Sequence, residues 1–251
     1  MDSTVVFEME GPFRSSYQLH RLSFGSGKPE ISVVAGLHGN ELNGIHSLNL
    51  LASVLQLQKL QGTIHLYPLV NSFGADQCEK RWPFDQRDIN RSFPGDPNGS
   101  PAQRIAWAIL EQSKNSDICI DVHSGASHIR EVPQVRCDYK ERSIELARAT
   151  KLPVLWKRKE LGGASSLLRA WTDRGQDALH IIGGRGTTLD GSLAVKMADG
   201  LMELFSYLGI MTSFSSGTTI VDIESKDVLS IRAECGGFFV PEVRVGERVL
   251  E

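Results

Sequence analysis

The sequence predicts an α/β fold with a mixed central sheet. Short apolar runs rich in β-branched residues alternate with longer stretches in which apolar residues recur every three or four positions. The short runs are typical of buried strands, and the longer period is typical of amphipathic helices. Strands that alternate with helices favour a parallel or mixed sheet covered by helices. At 251 residues, the chain is long enough for one large domain with a substantial core.

The predicted elements begin at residue 31 and alternate as far as residue 208. Between residues 71 and 100 the pattern stops, and a cluster of Pro and Gly residues predicts a loop of about thirty residues. Loops of that length inside a domain are usually functional or disordered, and the specific polar residues in this one favour function. The predicted strands are 31–37, 63–70, 117–122, 154–156 and 178–182, and the predicted helices are 44–57, 102–113, 143–150, 165–174 and 192–208.

Beyond residue 212 the helical pattern ends. Segments 218–221, 228–233 and 238–249 are β-like, with turn residues at Gly236-Gly237 and Gly246. We therefore expect two units, an α/β domain over residues 1–211 and a small β module over residues 212–251. The chain stops at Glu251, where further strands of such a module are expected.

Composition and charge exclude several classes of protein. The 27 Lys and Arg residues against 30 Asp and Glu residues give a net charge of −3, and the pI of about 6.2 argues against a nucleic-acid binder. The four Cys residues form no Cys-x-x-Cys pair, so we expect neither a zinc knuckle nor a disulfide framework. The N-terminus does not resemble a signal peptide, and no apolar run approaches about 18 residues, so we expect a cytoplasmic protein with no membrane span.

Two strand ends carry residues that can bind a metal ion. His38 and Glu41 directly follow the first predicted strand, and His123 follows the third. Two His and one Glu are a standard ligand set for catalytic zinc, and the carboxyl ends of strands form the functional crevice of open α/β sheets. Taken by themselves, these residues support a metal site and an ordinary surface pair about equally.

Three separate segments together resemble the succinylglutamate desuccinylase/aspartoacylase family, which is similar in turn to the zinc carboxypeptidases. The segments are HGNE at 38–41, DINRSFPG at 88–95 and DVHSG at 121–125. The resemblance runs from about residue 31 to residue 184 and continues more loosely into the C-terminal GGFFVPEVRVGERV. It implies a zinc-carboxypeptidase-like α/β domain over residues 1–211 with one Zn²⁺ per chain, followed by a biotinyl-like β module. Members hydrolyse the amide bond of N-acyl amino acids or related small N-acyl amines.

The resemblance also implies roles for individual residues. His38, Glu41 and His123 match the zinc ligands, and zinc of this kind lowers the pKa of a bound water to about 7. Asn90 and Arg91 match the pair that grips the substrate carboxylate, which an arginine binds through two parallel hydrogen bonds. Arg81 lies at roughly the position of the arginine that polarises the scissile carbonyl, and either Arg81 or Arg91 can stabilise the oxyanion.

Asp121 lies two residues before His123 and therefore on the same side of the predicted strand. We expect it to accept the outer N–H of that histidine, a common partner for a metal-ligating imidazole. The alternative is a simple cap at the end of the strand.

The sequence departs from the family at the general base. Members carry a glutamate in a Thr-(Ile/Val)-Glu-x-Gly-Gly type of segment, and this chain has Ile181 or Ile182 at that place. Isoleucine cannot move a proton. His180 is one substitute, although we expect it to face away from the site and pack. Glu131 is a weaker one, because we expect it to be a solvated charge in a loop.

The sequence therefore predicts a cytoplasmic, zinc-dependent deacylase of small N-acyl amino acids or amines. One rival is a catalytically weak zinc-binding relative that recognises a ligand with the same pocket, because the base is missing. A second rival is a zinc carboxypeptidase. We expect no nucleic-acid or membrane partner. The acyl group, the amine and the oligomeric state stay open, with a homo-oligomer among the options.

Overall fold

In a computed structural model of the chain, residues 1–10, 16–159, 166–212, 214–215 and 219–249 are described. Within these residues, nine strands form one mixed sheet with helices on both faces, so the predicted α/β class is confirmed. The strands are β1 (Asp2–Glu10), β2 (Ser16–Ser26), β3 (Glu30–Ala35), β4 (Gly62–Tyr67), β5 (Ile118–Gly125), β6 (Glu131–Cys137), β7 (Val154–Lys157), β8 (Asp177–Arg185) and β9 (Val221–Glu224). The helices are α1 (Leu42–Leu55), α2 (Ser72–Asp76), α3 (Pro101–Gln112), α4 (Glu141–Ala149), α5 (Leu167–Asp173) and α6 (Gly191–Tyr207).

The strand order is β1-β2-β4-β3-β5-β8-β6-β7-β9. The four central strands, β4, β3, β5 and β8, run parallel to one another. The hairpin of β1 and β2 joins one side of this centre antiparallel to β4, and β6 joins the other side antiparallel to β8. Strands β7 and β9 then continue parallel to β6. Because the central strands are parallel, their carboxyl ends lie along one edge of the sheet.

Alternate residues of the central strands divide the core into two layers. On one face, Ile120, Val122, Leu179 and Ile181 pack against helices α1, α4 and α6. On the opposite face, apolar residues pack against α3 and α5, where the indole N–H of Trp171 donates to Ser113 Oγ at 2.8 Å. Strand residues on the second face become polar toward the carboxyl ends, and this face carries the site described below.

The elements predicted between residues 31 and 208 are confirmed to within a few residues at their ends. Three strands were missed. Strands β1 and β2 form an edge hairpin whose side chains are mostly half-exposed, so their apolar signal is weak. Strand β6 contains Pro133, which argues against a strand in a sequence but here lies where the pairing with β8 is irregular.

The predicted loop at 71–100 is largely irregular but contains helix α2 and a single 3₁₀ turn at Ile89–Arg91. It is held down by Trp82 and Ile89, whose side chains are fully buried. This packing also requires a glycine at position 39, because a Cβ there would lie 2.2 Å from the Gly74 carbonyl carbon. The loop is therefore a structured cover over the carboxyl ends of β3 and β4.

The C-terminal part differs from the predicted β module. Strand β9 extends the main sheet beside β7, and residues 228–249 contain no strand, so the strands predicted at 228–233 and 238–249 are wrong. Apolar side chains such as Phe238 and Phe239 are exposed there, without the second layer that a strand needs to bury them. The division at residue 212 stays a prediction. Residues 165 and 218, which begin two predicted elements, lie outside the described residues.

None of the helices in the described ranges is both long and apolar enough to cross a bilayer.

Candidate metal centre

Two neighbouring parallel strands bring together the residues with metal-binding chemistry. His38 and Glu41 lie in the short connection from β3 to α1, where the Glu41 N–H donates to the His38 carbonyl at 3.2 Å. His123 lies on β5, which pairs directly with β3. All three side chains are buried, and one potential ligand atom from each lies within 4.8 Å of the others. Glu41 and His123 are 82 residues apart in the sequence, and the pairing of β3 with β5 brings them together.

Glu41 lies between the two imidazoles. Its Oε1 is 2.6 Å from His38 Nδ1, and its Oε2 is 2.8 Å from His123 Nδ1. The Ser124 N–H also donates to Oε2 at 2.9 Å. The outer nitrogens face two further carboxylates, because His38 Nε2 is 3.0 Å from Asp88 Oδ1 and His123 Nε2 is 2.9 Å from Asp121 Oδ2. Each histidine is therefore placed between two carboxylates.

The ring protons of His38 and His123 decide whether this arrangement suits a metal ion. A neutral imidazole donates from one nitrogen only, so satisfying both carboxylates around each ring requires two buried imidazolium ions. Their ring centroids would be only 5.1 Å apart. A divalent cation in place of the two Nδ1 protons removes this conflict, since it binds neutral imidazole nitrogens and the Glu41 carboxylate together. Asp88 then accepts the Nε2 proton of His38. Asp121 lies 2.9 Å from Nε2 of His123, but the geometry of this pair is not that of a hydrogen bond. A carboxylate behind each ring is the usual arrangement around metal-bound histidines. The residues present fit a zinc ion.

The charges at the centre favour the charged form of each of these side chains, so the pKa values of the histidines rise and those of the carboxyl groups fall. Burial alone would lower the pKa of both histidines, but the surrounding carboxylates outweigh it and raise the pKa of His38 and, more strongly, of His123. For Glu41, burial would raise the pKa, but the two histidines hold it far below its usual range. The same balance between burial and His38 lowers the pKa of Asp88 to about 2. The metal-free centre therefore traps protons.

This proton trapping predicts how the metal-free protein responds to pH. Because the folded-state pKa values of His38 and His123 lie above the unfolded value of about 6.5, their contribution is complete below that pH and is lost as the pH rises through the folded values. His65 and His180, whose pKa values are lowered, contribute in the opposite sense, and only weakly above pH 7, where few of their side chains stay protonated in the unfolded state. We expect the thermal midpoint of chelated protein to fall from pH 7 to pH 8, and zinc-loaded protein to show a smaller fall. Parallel curves for both forms would contradict this.

Asp88 and Ser124 were not predicted from the sequence as site residues. Asp88 lies two positions before Asn90 in the same motif, and this position was the available signal. It contacts His38 because the Asp88 side chain also caps the 3₁₀ turn at Ile89–Arg91 and is thereby held over β3. The predicted neighbourhood of Asp121 and His123 is present, with Asp121 completely buried.

Neutralising either outer carboxylate should weaken metal binding without removing a ligand. We expect Asp121→Asn and Asp88→Asn each to lower zinc affinity by about 10–100-fold, because the ligand histidine loses its orienting acceptor. Asp117→Asn, at the amino end of β5, is the matched control and should bind zinc as the wild type does. Competition titrations with a chelating dye measure all three. Unchanged affinity in both site variants would show that these contacts do not orient the rings.

The structure leaves the predicted substrate-binding residues outside the cluster. Asn90 Oδ1 accepts the Leu167 N–H at 3.0 Å and so ties the long loop to the start of α5. The side chains of Arg81 and Arg91 are exposed and make no hydrogen bond or ion pair with any residue in the described ranges. Two exposed guanidinium groups are available for an anionic ligand, and the roles of these three residues stay predictions.

Strand β8 shows which isoleucine faces the candidate centre. In its register with β5, His180 pairs with Asp121 and Ile182 pairs with His123. Paired residues of parallel strands share a face, whereas Ile181 points into the opposite, apolar layer. The expectation that His180 faces away from the site is therefore wrong. Its ring lies edge-on to His123 with centroids 5.1 Å apart, and burial together with the charges of His123 and Arg136 holds its pKa well below the usual value.

Glu131 is not a solvated loop charge as expected. It begins strand β6, and its side chain is only 19% exposed. One carboxylate oxygen, Oε2, accepts from Gln134 Nε2 at 2.8 Å and is ion-paired with Arg136. The sequence could not reveal this, because the partners of Glu131 lie on an unpredicted strand.

Comparison with known proteins adds independent findings. The sequence model described as the Succinylglutamate desuccinylase/Aspartoacylase catalytic domain matches residues 28–208. The chain is 30% identical over 177 residues to the N-alpha-acetyl-L-2,4-diaminobutyric acid deacetylase of Halomonas elongata, a match that covers 66% of this chain and 51% of that protein. The chain thus spans about half the length of that relative.

Two solved structures show the same fold. A succinylglutamate desuccinylase/aspartoacylase from Rhodobacter sphaeroides has a TM-score of 0.74 at 22% identity, over 84% of this chain and 67% of that one. The product-bound ectoine utilization protein EutE (DoeB) from Ruegeria pomeroyi has a TM-score of 0.75 at 20% identity, with the same two coverages. These likenesses support the fold.

Proposed function

The chain belongs to the succinylglutamate desuccinylase/aspartoacylase family, a family of N-acyl amino acid deacylases, and from this we propose that it hydrolyses the amide bond of small N-acyl amino acids or related N-acyl amines. The observation that carries the proposal is the buried cluster of His38, Glu41 and His123, backed by Asp88 and Asp121. The Halomonas relative is named for an acetylated diamino acid, so acetylated amino acids with a second charged group are the first substrates to test.

In the proposed mechanism, His38, Glu41 and His123 hold one Zn²⁺ ion. When bound, zinc supplies an acidified water and a polarised carbonyl oxygen. Asp88 and Asp121 keep the two imidazoles in one tautomer, with their Nδ1 atoms directed inward. Asn90 and Arg91 bind the substrate carboxylate, and Arg81 or Arg91 stabilises the negative charge that develops on the acyl oxygen.

The first experiment is elemental analysis followed by hydrolysis assays. We expect zinc at about one ion per chain, as in a site with three protein ligands, and turnover of N-acyl amino acids that a chelator abolishes and added zinc restores. The panel varies the acyl group and the amine, and it includes C-terminal peptides. Turnover confined to the peptides would favour a zinc carboxypeptidase instead. Stoichiometric zinc without turnover on any member would contradict hydrolysis.

A second candidate function is recognition of a ligand without efficient hydrolysis. The observation that favours it is Ile182, which lies beside His123 where a proton acceptor would be needed. If the chain lacks a base, Ile182→Glu should raise kcat by about 10²–10⁴-fold, the usual contribution of general base catalysis, while Ile182→Gln should not. No gain from Ile182→Glu with zinc still bound would count against this candidate.

A further inference from the structure

The proposed hydrolysis needs a proton acceptor that the family motif does not provide in this chain, and a substitute must lie on the face that carries His123. On that face, β5 presents Asp121 and His123, and β8 presents His180 and Ile182. Strand β6 lies next to β8 and presents Gln134 opposite Ile182, Arg136 opposite His180, and Glu131 opposite Gly184. Two of the carboxylates near the centre, Asp88 and Asp121, are already engaged by histidines.

We propose that Glu131 is the general base of this protein, acting from β6 in place of the glutamate that its relatives carry on β8. This inference rests on the proposed function and names one further catalytic residue for it. A carboxylate on the neighbouring strand can take over because two glycines leave the space between the strands open.

Gly125 and Gly184 provide that space. Gly125 lies two residues beyond His123 on β5, and a Cβ at this position would be 3.3 Å from the Glu131 Cγ. The Glu131 side chain therefore lies against the strand that carries His123. Gly184, which pairs with Glu131, has a φ of +76° and carries no side chain that could lie beside Glu131. A side chain at Gly125 would disturb this approach, because its Cβ would also lie 2.4 Å from the Ile129 carbonyl oxygen and 2.7 Å from that of Gly184.

The partners of Glu131 suit a proton acceptor. Arg136 and Gln134 both bind Oε2, while Oε1 has no hydrogen-bond partner in the described ranges. Arg136 is itself held over the Trp156 ring, with its Cζ 4.8 Å from the ring centroid. The carboxylate is thus oriented through one oxygen, and the other oxygen can accept a proton.

Glu131 can also be reached by a ligand. It lines an open cleft of about 1090 Å³ together with His128, Arg130 and Arg185 and with C-terminal residues such as Glu242. The three residues of the metal-binding cluster do not line this cleft. The space is large enough for a small acylated amino acid, and its basic side chains suit an anionic one. His180 is less suitable as the base, because it pairs with Asp121, two residues further from the carboxyl end of the sheet than His123.

The chemical step balances with water as the only co-reactant. Glu131 Oε1 takes a proton from the water as the water oxygen bonds to the acyl carbon, which gives a tetrahedral intermediate. Glu131 then passes this proton to the amide nitrogen, the carbon–nitrogen bond breaks, and the acid and the amine leave. The carboxylate returns to its ionised state for the next cycle.

The test compares Glu131→Gln with the wild type in the zinc-loaded full chain. We expect kcat to fall by about 10²–10⁴-fold with zinc content unchanged, and the thermal midpoint to fall because the largely buried Arg136 loses its ion pair. The double variant Glu131→Gln with Ile182→Glu should regain much of the loss, because it places a carboxylate beside His123. Glu141→Gln, on the exposed surface of α4, is the control. If Glu131→Gln folds poorly, Glu131→Asp keeps the charge and should show a smaller loss of kcat.

Calorimetry gives a readout that does not depend on turnover. Acetohydroxamate, bound in two buffers of different ionisation enthalpy, reports whether its proton is retained by the protein or released. We expect the wild type to retain the proton and Glu131→Gln to release it. Equal release by both proteins, with unchanged kcat in Glu131→Gln, would overturn the assignment while leaving the proposed function intact. If the wild type hydrolyses no substrate, the proposed function fails, and equal release would overturn this assignment as well.

Discussion

His38→Ala is expected to yield a protein that retains no stoichiometric zinc and has lost hydrolysis by about 10³-fold or more, since zinc supplies several kcal/mol of transition-state stabilisation. The substitution removes one of the three proposed ligands and leaves Asp88 and Glu41 without the imidazole between them. Elemental analysis after dialysis, together with steady-state assays on the best substrate of the panel, measures both effects.

A histidine outside the centre gives the matched control for this experiment. His20 is exposed on β2, and His20→Ala should keep both zinc and activity. A His38→Ala protein that keeps its zinc would show that the cluster is not the metal site. Loss of activity with zinc retained would place His38 in the reaction but not among the ligands.

Ile181→Glu is expected to lower the free energy of unfolding by about 3–5 kcal/mol, whereas Ile182→Glu should cost no more than about 1–2 kcal/mol. The reason is the alternation of β8, because Ile181 lies fully inside the layer under α1 and α6, where a carboxylate has no partner. Ile182 faces the polar side and pairs with His123 and Gln134. Urea unfolding of the two variants measures the difference.

The matched pair also decides the alignment with the family motif. Equal destabilisation by the two substitutions would contradict the assignment of faces on β8. A stable Ile181→Glu protein with increased activity would mean that the strand is registered one residue differently in solution. Ile181→Val and Ile182→Val serve as conservative controls, and both should fold normally.

Local sequence pattern was sufficient for most of the fold. The alternation of short β-branched runs with amphipathic stretches predicted ten elements between residues 31 and 208, because burial of one face imposes these periods on a chain. The prediction failed where fewer side chains of an element are buried or where other residues obscure the pattern. The β1–β2 hairpin lies at the sheet edge, β6 contains Pro133, and residues 228–249 have a β-like composition but no partner layer.

The candidate centre was predictable to the extent that its members share short motifs. His38 and Glu41 follow one strand, and Asp121 and His123 lie on another, so strand ends and family resemblance together brought these four residues to one place. Asp88 lies in a loop with few periodic features, and its contact with His38 depends on how that loop folds back over β3. No local signal reports such a contact.

The periodicity and the motifs of the chain were enough to predict the fold class, the family and the three side chains that cluster at the candidate metal centre, since these depend on residue types and short spacings. The face on which Ile182 and His180 lie, and the partners of Glu131, depend on the pairing of β5, β8 and β6. Those strands are distant along the chain and pair in a register set by the packing of the whole core. A shift of one residue would exchange the two faces of β8, so the tertiary structure alone determines which side chain of β8 faces the candidate centre.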